Sequence, residues 1–511
     1  MKKFILILLT GVLFHFAHSQ NEIILKPEEA KTEISRHIYG HFAEHLGRCI
    51  YDGIYAGSDS PLANKDGVRT DVIEALKNLN IPNLRWPGGC FADTYHWKDG
   101  IGPKDERKHI ENLSWGNERE DNGFGTHEFL DLCEQLGAEP YLAVNMNSGS
   151  VQEAVEWVQY VNHKNGSSDL TDLRQENGRD KPWNVKYWGI GNESWDCGGD
   201  MTAEYYSNLY KRYATAMTSY ANTEKLFRIA VGPGSDDYAW TETVMKNIPA
   251  KRIEGLSVHH YSVFDWSAKG PSDTFSDEEY FKTMHRAWFM EEFINKNSEI
   301  MDKYDPDKNV ALIVDEWGGW YESIPDKGIL YQQNTIRDAM IAGMTLNIFN
   351  NHADRVRMAN LAQTVNVLQA VILTEGEKML LTPTYHVMEM YKVHQDAKLI
   401  PISLNSEKMV NGNQSLPAIS VSASVDSQNL LHLSIVNVDN EKDHPISIDL
   451  GDAKYKKVSG RILTSESVRD HNSFSDPDKI TPRSFNKATL KKGKITFELP
   501  KNSVVVLEVS E

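Results

Sequence analysis

The chain has 511 residues and a formal net charge of −18. That length exceeds what one compact core usually serves, so a large unit and a smaller one are expected. The acidic balance disfavours nucleic acid and anionic membranes, which reward basic faces, and suits a neutral ligand such as a sugar.

Lys2 and Lys3 precede an apolar run over residues 4–14, and Ala17-His18-Ser19 offers a small-x-small cleavage site before Gln20. The pattern predicts a signal peptide over 1–19 and an exported protein, periplasmic or extracellular, free of the membrane after cleavage. No later segment reaches the ~18–20 apolar residues that a membrane helix needs. Cys49, Cys90, Cys133 and Cys197 are widely spaced without a CxxC. A zinc site is therefore not expected, and no disulfide pair can be assigned from spacing.

Residues 22–25 read as a strand, and the 20–37 segment is expected to pack with the C-terminal domain. From 38 to 391 short apolar runs alternate with amphipathic stretches. Ile38-Tyr39 is the first strand-like pair. Further runs lie at 83–86, 140–144, 185–190, 226–231, 255–258 and 310–314, with helix-like patterns at 71–79, 127–136 and 203–217. Repeated βα units over this length predict a (β/α)8 TIM barrel. A doubly wound sheet is the alternative, but no GxGxxG follows a first strand. Beyond residue 392 the period changes to two, at 431–435, 446–450 and 495–499, with a closing run at 504–507. The 392–511 segment is therefore expected to form an antiparallel β-sandwich.

Polar residues of interest follow the predicted strands, where a barrel builds its active site. The 187–190 run leads into Asn192-Glu193, and the 310–314 run leads into Asp315-Glu316. Two Glu at strand ends can converge across the barrel mouth. Retaining glycoside hydrolysis needs one carboxylic acid to protonate the leaving oxygen and one carboxylate, ~5–5.5 Å away, to attack the anomeric carbon. Mutual repulsion keeps the acid protonated until the nucleophile becomes an ester. Arg85 is placed to hold a carboxylate ionised and oriented, and His259 or Tyr261 to hydrogen-bond one. His41-Phe42-Ala43-Glu44-His45 also matches the H-x-x-E-H of some metalloproteases. That chemistry needs a helix, which Gly40 and Gly47 argue against, so neither a metal nor a cofactor is expected.

The segments 39–48, 85–89, 95–103, 191–193, 315–317 and 360–367 together resemble the arabinofuranosidases of glycoside hydrolase family 51. The resemblance implies retaining, exo-acting removal of terminal α-L-arabinofuranosyl residues from arabinan, arabinoxylan or arabino-oligosaccharides. It implies Glu193 as acid/base and Glu316 as nucleophile. Asn192 would bond the sugar 2-hydroxyl; Glu44, Tyr261 and Gln363 would contact the sugar hydroxyls or the nucleophile. Trp115 and Trp320 would wall the pocket, His259 would sit beside the carboxylates, and a homo-oligomer, often a hexamer, is implied. Cys90 stands where compared members carry a sugar-contacting Asn, and a thiol there would bond weakly. Competing readings are another retaining barrel glycosidase, such as an endo-glucanase or xylanase, and a non-catalytic carbohydrate-binding protein.

Overall fold

The computed structural model describes residues 21–220, 223–451 and 455–511. The signal-peptide reading falls outside the described residues.

Eight parallel strands close into a barrel: β1 (Gly40–Phe42), β2 (Asn83–Trp86), β3 (Glu139–Val144), β4 (Tyr187–Ile190), β5 (Phe227–Gly234), β6 (Gly255–Ser262), β7 (Ala311–Gly319) and β8 (Val356–Ala362). Strands pair in chain order, and β8 meets β1 with Leu361 opposite His41. The expected barrel is therefore present. Its strands read as apolar runs because both faces are covered. Tyr141, Tyr187, Ile229, Ile313 and Met358 fill the interior. Leu312, Val314 and Trp317 of β7 join the cluster between strands and helices.

The helix-like patterns form Thr70–Leu79, Thr126–Leu136 and Ala203–Ala216. In the first, Val72, Ile73, Leu76 and Leu79 make the buried face, and Asn80 ends it at φ +54. The first strand differs from expectation. Ile38 and Tyr39 lie in a 3-10 turn, Arg36–Tyr39, and β1 begins at Gly40.

Residues 392–511 supply most of two further sheets. One contains Ile402–Asn405, Asn21–Leu25, His444–Asp449, Lys494–Leu499 and Thr489–Lys491. The other centres on Ile419–Val425, Leu431–Asn437, Ser503–Ser510 and Lys457–Thr464. Ile23, Leu433, Ile448, Ile495 and Leu507 belong to the core between them. The sandwich is not wholly antiparallel: Asn21–Leu25 runs parallel to His444–Asp449. A strand arriving from the far end of the chain is free of the hairpin geometry that forces antiparallel pairing.

The sandwich packs on the barrel helix Ile336–Asn351, buried from Ile336 to Asn350. Asn347 Nδ2 donates to Ser420 Oγ at 3.2 Å, and Asn350 Nδ2 donates to Ser422 Oγ at 3.1 Å. Val436, Val438, Val504 and Val506 of the sandwich join the barrel's apolar cluster.

Candidate active site

The site lies at the C-terminal ends of the barrel strands, where β7 departs from strict alternation. Ile313 points inward and Val314 outward. Pairing shifts register between Val314 and Trp317 on the β8 side, and between Ser257 and His259 on β6. Such an irregularity re-aims side chains. Here Asp315 and Glu316 both reach into the barrel, although successive residues of a regular strand face opposite ways.

One oxygen each of Glu193 and Glu316 and one ring nitrogen of His259 lie within 4.8 Å of one another. Tyr261 donates its hydroxyl to Glu316 Oε2 at 2.7 Å. Arg85, buried on β2, donates Nη1 to Glu316 Oε1 at 2.9 Å and Nη2 to Asn192 Oδ1 at 2.6 Å. One guanidinium thus orients residues from β4 and β7 through its planar fork. Asn192 Nδ2 is left with only a sulfur, Cys197 Sγ, at 3.9 Å.

His259 spans two carboxylates, Nδ1 to Glu193 Oε1 at 2.8 Å and Nε2 to Asp315 Oδ1 at 3.1 Å. Burial opposes charge on the ring, but Glu316, Asp315 and Glu193 together push its pKa up to about 10. The imidazolium then donates from both nitrogens. Burial raises the pKa of Glu193, with the Glu316 charge adding to it and the His259 hydrogen bond opposing it. Burial also acts to raise Asp315, but Arg85 and His259 overcome it and hold that carboxylate well below its ordinary range. Tyr141 and Ser257 hydroxyls complete the Asp315 shell at 2.6 and 2.5 Å.

Glu44 forms the opposite wall. Trp115 Nε1 donates to its Oε1 at 2.9 Å, the Phe91 amide to the same oxygen at 3.1 Å, and Gln363 Nε2 to Oε2 at 3.0 Å. Burial, reinforced by Glu316, pushes Glu44 up to about 7 against the Trp115 and Phe91 hydrogen bonds and the Arg85 charge. Gln363 Oε1 is buried without a partner. Trp115 rides a short hairpin, Ile110–Asn112 and Glu118–Glu120. Glu120 anchors it by accepting from His45 at 2.8 Å. His45 Nε2 accepts from Trp86 Nε1 at 3.1 Å, so both its nitrogens are engaged. His41 lies in β1 and residues 43–46 are not helical, which removes the geometry that H-x-x-E-H chemistry requires.

These walls enclose a cavity of about 400 Å³ that reaches Glu193, Glu316 and Trp320. Trp320 meets Tyr261 edge-on at 5.0 Å and Trp266 at 5.4 Å. Cys90 lines the cavity, but not as the thiol expected: its sulfur is bonded to Cys197, with Cα atoms 5.5 Å apart. Sequence reasoning gave Asp315, Trp195 and Trp266 no role. Trp195 and Trp266 were detectable as aromatics just past strand ends. The inward turn of Asp315 needed the β7 irregularity.

Residues 75–279 match the family model described as the α-L-arabinofuranosidase 1 domain, and 315–503 that of the α-L-arabinofuranosidase C-terminal domain. A relative from Bacteroides ovatus, described as an intracellular exo-α-L-arabinofuranosidase, is 48% identical over 497 residues, 96% of each chain. The chain belongs to the α-L-arabinofuranosidases of glycoside hydrolase family 51. A family 51 arabinofuranosidase from Xanthomonas axonopodis pv. citri superposes with a TM-score of 0.94 at 42% identity, over 96% of this chain and all (100%) of that one. An α-L-arabinofuranosidase from Thermotoga maritima, solved as an arabinose complex, gives 0.85 at 34% identity, over 96% and 99% of the two chains.

Within this family the expectation of export is corrected. The Bacteroides ovatus arabinofuranosidase is described as intracellular, which overturns the exported, periplasmic or extracellular reading and the signal peptide behind it.

Proposed function

We propose that this family 51 arabinofuranosidase works through Glu316 as nucleophile and Glu193 as acid/base. The observation that carries the assignment is the approach of the two carboxylates, with oxygens within 4.8 Å. An inverting site would separate them by ~6.5–9.5 Å to seat a water, whereas a retaining site keeps them at ~5–5.5 Å. Glu316 attacks the anomeric carbon while protonated Glu193 gives its proton to the leaving oxygen. Water, deprotonated by Glu193, then releases arabinose from the ester. Arg85 and Tyr261 orient Glu316 for attack. His259 orients Glu193 and limits how tightly it keeps its proton.

Glu44, Gln363 and Asn192 hold the terminal arabinofuranosyl ring. The partnerless Gln363 Oε1 and the poorly matched Asn192 Nδ2 offer an acceptor and a donor for its hydroxyls. Trp115 and Trp320 wall the pocket around one terminal sugar, which supports exo action on side chains or ends of arabinan, arabinoxylan or arabino-oligosaccharides. An endo-acting enzyme would need an open cleft. Residues 20–37 and 392–511 form a unit that buttresses the 38–391 catalytic barrel. The protein assembles as the homo-oligomer implied by the family resemblance.

The test compares aryl α-L-arabinofuranoside, α-L-arabinopyranoside and β-D-xyloside substrates, with Glu316→Gln and Glu193→Ala alongside. Turnover of the furanoside is expected, lost in Glu316→Gln. Azide should restore rate to Glu193→Ala on an aryl substrate, because a good leaving group needs little acid help. Unchanged activity in Glu316→Gln refutes the nucleophile assignment.

A further inference from the structure

Glu193 has a backbone φ of +38°, in the left-handed region that residues with a Cβ rarely adopt. Such a conformation is strained and persists only where its surroundings over-determine it. Part of the constraint is local. The amides of Asp196 and Gly198 both donate to the Glu193 carbonyl, at 2.8 and 3.1 Å, and the Met201 amide donates to Ser194 O at 2.7 Å.

Two further attachments come from outside the loop, both from the turn Cys90–Thr94 that follows β2. The first is Asp93, whose side chain is fully buried. Its Oδ2 accepts from the Asn192 amide at 3.0 Å, and its Oδ1 from the Met146 and Asn147 amides at 2.7 and 3.1 Å. One carboxylate thus ties together the segments that leave β2, β3 and β4. The loop wraps it closely: a Cβ on Gly198 would lie 1.7 Å from Asn192 O and 2.9 Å from Asp93 Oδ2. The second attachment is the Cys90–Cys197 disulfide, whose Cys197 Sγ lies 3.7 Å from Glu193 Oε2. Asp93 does not line the cavity, so any effect on turnover must pass through the residues it holds.

We infer that Asp93 and the Cys90–Cys197 disulfide are positioning residues that hold Glu193 in its strained backbone, so that its carboxyl reaches the leaving oxygen. The inference rests on Glu193 being the acid/base. Loosening either attachment should impair proton delivery more than substrate binding. A displacement of about 1 Å can cost on the order of 100-fold in rate.

The test measures kcat/KM, which reports glycosylation, for Asp93→Asn on two substrates. An arabino-oligosaccharide has an alcohol leaving group that needs a proton; a dinitrophenyl α-L-arabinofuranoside has one that does not. We expect a loss of roughly 10- to 100-fold on the first and less than about threefold on the second. Equal losses on both, or none, overturn the inference, because a merely structural defect does not distinguish leaving groups. Should Asp93→Asn fail to fold, the wild type treated with a dithiol carries the test without a substitution. Cys90 and Cys197 then take up two electrons and two protons, and the reagent closes to its own disulfide. Thiol titration follows the opening. Selective loss on the oligosaccharide supports the positioning role; equal loss or none overturns it. Glu193→Ala serves as the reference. If that variant lacks both the selective loss and azide rescue, the acid/base assignment itself has failed. If it shows both while the loosened enzymes lack the selective loss, only the positioning role is refuted.

Discussion

Glu44 couples the pocket to the stability of the whole protein. Removing its titration by Glu44→Gln should change the pH dependence of unfolding in a calculable way. The unfolded carboxyl loses its proton near 4.5 and the folded one at about 7, because burial and the Glu316 charge disfavour ionisation more than the Trp115 and Phe91 hydrogen bonds and the Arg85 charge favour it. A raised carboxyl stabilises the fold fully below the unfolded value, less as pH rises, and not at all above about 7. Between pH 5 and 8 the wild type should lose about 2.5 kcal/mol that Glu44→Gln cannot lose, at about 1.4 kcal/mol per pH unit between the two pKa values. The substitution also disturbs the bonds to Trp115, Phe91 and Gln363. That cost varies little with pH, so the difference between the two proteins' pH profiles isolates the titration. Urea unfolding at pH 5 and 8 on both proteins measures it. A wild-type-minus-variant difference that stays constant between those pH values would refute the reasoning.

Three other outcomes are expected. In His259→Phe, Glu193 loses the hydrogen bond that lowers its pKa, so the basic limb of the kcat/KM profile should move to higher pH; an unmoved limb excludes His259 as a modulator of the acid. Trp320→Ala removes an edge contact with Tyr261 and a pocket wall, and should raise KM about 5- to 30-fold with a smaller change in kcat, read from initial rates over a range of substrate concentration. Asn347→Ala leaves Ser420 and Ser422 short of a buried partner, and should cost about 1–3 kcal/mol in urea unfolding without altering kcat/KM at 25 °C.

Much of the barrel was legible because its strands are covered on both faces and so appear as apolar runs between amphipathic helices. β8 was not read as a strand, because Arg357 and Asn360 interrupt its apolar character. Asn360 is a barrel residue all the same, donating to His41 O at 2.8 Å and Asn83 Oδ1 at 2.6 Å. Within the site, Glu193, Glu316, Arg85 and His259 could be found because each follows or lies on a recognisable strand. Asp315 could not. Regular alternation turns it away from Glu316, and only the shifted pairing of β7 brings both inward. Cys90 was misread for another reason. Its partner lies 107 residues on, and nothing local indicates that the β2 and β4 loops meet. The Lys104–Asn122 stretch was opaque because its order comes from scattered tertiary contacts, among them Glu120 on His45, Asn112 on the His45 carbonyl and Trp115 on Glu44, rather than from a periodic pattern.

The helix Ile336–Asn351 has no solvent face. In an ordinary barrel the outer side of such a helix drifts freely, since water accepts most polar residues. Here every turn is read twice, by barrel strands on one side and by Ser420, Ser422 and Val436 on the other. Substitutions in the sandwich are therefore constrained by a helix whose other side supports the strands of the active site. Gene rearrangements that exchange sandwiches between relatives should succeed only when this helix travels with its sheet. The boundary of inheritance would then fall inside the barrel, ahead of residue 336, rather than at the visible border between the two units.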